Sequence, residues 1–198
     1  MKIMQQIQSF LQMIEFDSPV ILTFALVSFA ALILNTISRG GANRLFFSVY
    51  RSSLLSPLTY MRFFTHVLGH GSLSHYVGNM MIFLLLGPSV EANYGSNSLM
   101  FMIAATALVT GLVHFIFFPR SSLRGASGIV YMLITLSSMV NFSEGKIPLT
   151  FLLVVFLYLG KEIYGAIFHA DNVSQLTHII GAVMGILFVL YYQGMLAL

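Results

Sequence analysis

Six stretches of this 198-residue sequence are long and apolar enough to cross a lipid bilayer, and they limit its fold more than any other feature. They run over residues 19–37, 73–94, 98–118, 125–142, 147–168 and 175–195. A spanning helix needs about 20 mostly apolar residues to cross a hydrocarbon core about 30 Å thick. The second and fourth stretches carry glycines and polar residues, so their hydropathy is weaker. Composition agrees with the bilayer as solvent: 58% of residues are hydrophobic and 8% charged, where a soluble domain carries about 25% charged residues. The expected fold is all-α, a polytopic membrane protein with a six-helix bundle. There is no Trp, but nine Tyr can occupy the membrane interfaces. The lack of cysteine excludes disulfides and thiolate chemistry. The net charge of +3 is small and the basic residues are scattered, so no nucleic-acid partner is expected.

Residues 1–18 differ in kind. Ile3, Met4, Ile7, Phe10, Leu11 and Ile14 recur at helical spacing, with Gln5, Gln6, Gln8 and Gln12 between them. This pattern reads as an amphipathic helix lying on the membrane surface, ahead of a membrane domain over residues 19–198. The glutamines interrupt any apolar core of a cleaved signal peptide. Residues 38–72 form the one long connection. Its Phe46, Phe47, Tyr50, Tyr60, Phe63 and Phe64 argue for packing on or into the membrane.

Successive spans alternate direction, so spans two, four and six begin on the same face. His75 and Asn79 sit near the start of span two. Ser127 sits at the start of span four, within Gly125-Ala126-Ser127-Gly128, and His178 near the start of span six. The four therefore lie at similar depth. Ionisable side chains inside a membrane are costly and mark working sites. His75 and Asn79, four apart, share a helix face. His178, Gly181 and Gly185 also share one, and the two glycines form a small-xxx-small seam that admits a neighbouring backbone. If span four is that neighbour, His178 approaches Ser127.

A serine and a histidine within hydrogen-bond reach make a nucleophile and its general base. His75, the Asn79 amide and the Ser127 N–H could then serve the oxyanion. No acid stands out as a third member; Asp171, in the loop before span six, reads as a solvated residue. Taken singly these signals are weak. A lone membrane Ser, such as Ser137 or Ser138, bonds its own backbone, and a lone His, such as His114 or His169, is interfacial by default. Their joint placement at the heads of three alternate spans favours catalysis. A transporter would gather polar residues at the midplane between repeats, and no repeat is present. His66 and His70 are spaced like zinc ligands. Position 67 is Val where a metalloprotease needs Glu, so hydrogen bonding within the loop fits them better.

Several segments resemble the bacterial rhomboid family, together covering about residues 57 to 190. Arg62-Phe63-Phe64-Thr65-His66-Val67-Leu68-Gly69-His70, followed by His75-Tyr76-Val77-Gly78-Asn79, resembles the first-loop and second-helix signature. Gly125-Ala126-Ser127-Gly128-Ile129-Val130-Tyr131 resembles the nucleophile motif. Thr177-His178-Ile179-Ile180-Gly181-Ala182-Val183-Met184-Gly185 resembles the sixth-helix motif, and Glu91 the acidic residue ending the second helix. The resemblance implies a Ser127–His178 dyad, His75 and Asn79 at the oxyanion, and Tyr131 packed on the His178 ring. It implies that Gly125 and Gly128 shape the serine's surroundings, that Gly181 permits contact between helices four and six, and that Arg62 and Glu91 are structural. No metal or cofactor is implied. The implied partners are the lipid bilayer and single-span or other transmembrane protein substrates, cut near the outer face after a small residue. Met61 and Thr177 stand where the family often has Trp and Ala, departures that bear on substrate preference. Relatives without the serine or histidine bind membrane clients and cut nothing; both residues are present here.

Orientation sets two rules against each other. Lys2 and Lys146 fall on one face, and Arg39, Arg44, Arg51, Arg62, Arg120 and Arg124 on the other. The positive-inside rule would turn the arginine face to the cytoplasm. The resemblance implies a bacterial inner membrane protein with that face extracytoplasmic, and this is the orientation expected.

Overall fold

The computed structural model describes residues 4–6, 15–139, 149–154, 156, 157, 160, 164 and 172–194. Most of the expected amphipathic segment and most of the fifth span, 147–168, lie outside the described residues. What is described is helical, with one isolated antiparallel bridge between Val49 and Leu123. Helix α1 is Pro19–Ile37, and α2 is the short Gly41–Leu45. Helix α3, Pro57–Thr65, continues into a 3₁₀ turn, His66–Leu68. Helices α4, Leu73–Tyr94, and α5, Ser96–Phe117, follow. Helix α6 is Ser127–Ser138, α7 Leu149–Val154 and α8 Asn172–Tyr192. Helices α1, α4, α5 and the Ser174–Tyr192 part of α8 are long and apolar enough to cross a membrane.

The outer faces of these helices are apolar. Ile37, Met81, Leu85 and Phe117 are each more than two-thirds exposed, which suits hydrocarbon and not water. The interior is built around α6, of which Ile129, Met132, Leu133 and Leu136 are fully buried. At about 1.5 Å per residue, its 12 residues rise about 18 Å, well short of a bilayer core. Helix α6 is thus a central pillar wrapped by longer helices, and its most extensive partner is α8.

Local chemistry sets the helix ends. Pro19 occupies the first turn of α1, where a missing N–H costs nothing. The next two N–H groups, of Val20 and Ile21, donate to the buried Glu91 carboxylate at 3.0 and 3.1 Å. That carboxylate also accepts from the Ser96 hydroxyl at 2.7 Å. One anion therefore joins α1, α4 and α5 and meets the positive end of the α1 dipole. Ser72 caps α4, its Oγ accepting from His75 N–H at 3.1 Å.

The long connection is folded. The Arg62 guanidinium, almost fully buried, donates to Leu58 C=O, Ser52 and Thr59 and lies 4.3 Å over the Tyr50 ring. Arg51 donates to Phe115 C=O at 3.2 Å and lies over the Phe115 ring. The Val49–Leu123 bridge, 2.9 Å in both directions, ties this loop to the segment entering α6.

Candidate active site

Ser127 is the first residue of α6, and its approach is set by Gly125. That glycine has φ +124°, a conformation L side chains rarely adopt. Its N–H donates to His66 C=O at 3.0 Å. A Cβ there would lie 2.8 Å from His75 Cε1 and 2.9 Å from His75 Nε2. The bare glycine therefore lets the His75 imidazole close on the turn before Ser127. The Asn79 amide nitrogen lies 3.8 Å from the same point. His75 and Asn79, one turn apart on α4, thus both face the start of α6.

His178 comes from α8. Its ring stacks on Tyr131, with centroids 4.3 Å apart and planes 8° from parallel. Tyr131 lies one turn beyond Ser127 on α6, so the stack brings the imidazole alongside the serine's own helix face. Ser174 Oγ, one turn earlier on α8, lies 3.4 Å from His178 Nε2. The stack requires close helices, and Gly181 permits them: a Cβ on it would fall inside the Gly128 backbone. A Cβ on Gly128 would meet Thr177 Cγ2 at 3.2 Å, and one on Gly185 would meet Met132 C=O at 2.7 Å. A cavity of about 300 Å³ opens over the assembly, lined among others by His75, Arg124, Ser127, Ser174 and Thr177. Ser127 and His178 are half-buried and Asn79 is buried. Arg62 and Glu91 lie away from this cavity, in the loop and at the opposite end of α4.

His70 was legible only as a loop histidine, and the structure gives it a specific place. Its Nδ1 lies 3.2 Å from Leu68 C=O, an acceptor, so Nδ1 carries the proton. Nε2 is then a bare acceptor, and the Asn79 amide NH₂ donates to it at 3.1 Å. This fixes which end of the Asn79 amide is nitrogen. The His70 backbone is held by Asn43, whose amide donates to His70 C=O at 2.9 Å. Burial, helped by nearby His75, lowers the His70 pKa to about 4, so the ring is neutral at physiological pH. Nothing in sequence spacing links residues 70 and 79, because the contact depends on how the loop folds back. His66, lowered to about 4 by burial, has Nδ1 3.1 Å from Arg62 C=O and Nε2 3.4 Å from Thr110 Oγ1. No metal-binding cluster occurs among the described residues.

The sequence matches the Rhomboid domain family over residues 57–194, a span holding every residue of the site. The chain belongs to the rhomboid family. It is 33% identical to Rhomboid-related protein 2 of Mus musculus over 153 residues, which is 67% of this chain and 50% of that protein. It is also 33% identical to Rhomboid-related protein 1 of Caenorhabditis elegans over 138 residues, 64% of this chain and 38% of that one. This rhomboid thus spans half or less of the length of these two relatives. Family membership and the long apolar helices make it an integral membrane protein.

Proposed function

We propose that this rhomboid is an intramembrane serine endopeptidase that cuts transmembrane segments of other membrane proteins. The observation carrying this reading is the Tyr131–His178 stack beside Ser127, faced by His75 and Asn79 across Gly125. Ser127 Oγ attacks the scissile carbonyl while His178 takes its proton. The carbonyl oxygen becomes an oxyanion, stabilised by the His75 ring, the Asn79 amide and the Ser127 N–H. Collapse expels the amine, which leaves with the proton from His178. Water then attacks the acyl-enzyme, giving its proton to the same imidazole. Breakdown releases the carboxylate product and returns the proton to Ser127. All of this uses groups of the chain and needs no metal or cofactor.

The architecture proposed is the six-span rhomboid bundle, with residues 1–18 as an interfacial helix. The site is proposed to face the extracytoplasmic side of a bacterial inner membrane. The fates of Arg51 and Arg62 support that orientation against the positive-inside count. Both are occupied in holding the loop together, so they are poor reporters of topology. The test is labelling with a fluorophosphonate in detergent. Covalent modification at Ser127 that is lost in His178→Ala supports the dyad. An unlabelled, folded protein would instead fit a membrane client-binding role.

A further inference from the structure

Of six arginines near the active-site face, Arg44 and Arg124 stand apart. Arg51 and Arg62 are committed to the loop, as described above. Arg44 and Arg124 both line a second cavity of about 320 Å³, between the end of α1, α2 and the segment entering α6. Among the described residues no Asp or Glu lines it. The cavity also presents Ser48, Asn43, Asn35 and Tyr50. Ser48 is 2% exposed and its Oγ has no hydrogen-bond partner; the same holds for Oδ1 of Asn43, 4% exposed. Those two atoms have no accessible surface and do not reach the cavity, which leaves the two guanidiniums as its charge. Two cations therefore line one space, with no anion among the described residues to match them.

A neighbouring groove completes the picture. It adjoins the polar cavity at Gly71 and runs along Leu32, Ile33, Ile37 and Leu73, where α1 ends and α4 begins. A polar space joined at Gly71 to an apolar groove matches the two halves of a phospholipid. We propose that this rhomboid binds an anionic glycerophospholipid beside its active site, the phosphate held by Arg44 and Arg124 and an acyl chain in the groove of Ile33, Ile37 and Leu73. Guanidinium groups suit phosphate because they offer forked donors. Arg124 lines both this cavity and the catalytic one, so the lipid would lie against the substrate's path.

The experiment is native mass spectrometry of the purified full chain titrated with phosphatidylglycerol, diacylglycerol or inorganic phosphate. Phosphatidylglycerol should bind, and Arg44→Ala/Arg124→Ala should weaken it roughly tenfold or more. Arg39→Ala, on the same face but outside the cavity, should leave it unchanged. Arg44→Lys/Arg124→Lys guards against misfolding as an explanation. It should keep the positive charge and most of the lipid binding, with the lipid-free melting temperature unchanged. Equal binding by wild type and the double-alanine variant would overturn the proposal. So would diacylglycerol binding as tightly as phosphatidylglycerol. Arginine-dependent binding of inorganic phosphate without lipid binding would overturn the lipid assignment. Lipid binding unchanged in the arginine variant, with cleavage lost only for substrates bearing an acidic residue, would transfer the two arginines to substrate recognition and equally overturn it.

Discussion

At the scale of single residues, the proposed chemistry rests on groups held in place by their neighbours. Asn79 can donate to an oxyanion only if its NH₂ points into the site, and His70 Nε2 enforces that choice at 3.1 Å. Asn79→Ala should lower kcat about 10²–10³-fold, the usual loss for one oxyanion donor. His70→Ala should lower kcat about tenfold with KM little changed. In an Asn79→Ala background the His70 substitution should cost nothing further, because both act through one amide. Kinetics on a transmembrane reporter read all three, and additive losses would break the link. Ser127, His178, His75 and Asn79 could be singled out in the sequence because alternating span direction puts them at one depth. His70 could not be joined to Asn79, nor Arg44 to Arg124, because loop tertiary structure makes both pairings.

At the scale of elements, helix positions were legible where hydropathy is strong. The third span, expected over 98–118, is observed as Ser96–Phe117. The fourth, expected from residue 125, begins at Ser127, because Gly125 at φ +124° cannot be helical. Helices α2 and α3 were read simply as loop: they are short, and partners such as Arg62 and Tyr50 hold them. The α6–α8 contact yields a sharp prediction. Gly181→Ala drives a Cβ into the Gly128 backbone, which cannot move aside cheaply, and should cost about 1–3 kcal/mol. Gly78→Ala, on the exposed second turn of α4 with open space around it, should leave stability unchanged or raised. Unfolding of both variants in detergent checks the pair. Glu91→Ala leaves the Val20 and Ile21 N–H groups buried without an acceptor and should cost about 1–3 kcal/mol.

At the scale of the molecule, the loop, α1 and the central α6 form one hydrogen-bonded unit with two buried neutral histidines at its joints. His66 and His70 have pKa values lowered from 6.5 to about 4 by burial. Between these values the unfolded chain takes up protons that the folded chain refuses, so stability falls with falling pH. The loss should begin near pH 6.5, proceed to about pH 4, and gain nothing further from these two groups below that. Melting temperature against pH in detergent checks this, and His66→Gln should flatten the slope. Hydropathy made the membrane setting and helical class plain. The short pillar helix and the folded loop were not, since both depend on which faces meet.

The central claim is that Ser127 and His178 cut a peptide bond inside the membrane. The most direct test reconstitutes the protein in liposomes with a single-span reporter and compares wild type, Ser127→Ala and His178→Ala. Cleavage by wild type and by neither variant, a loss of at least about 10³-fold, is the predicted result. Cleavage that survives in Ser127→Ala would contradict the account, because the bond would then be broken by another nucleophile.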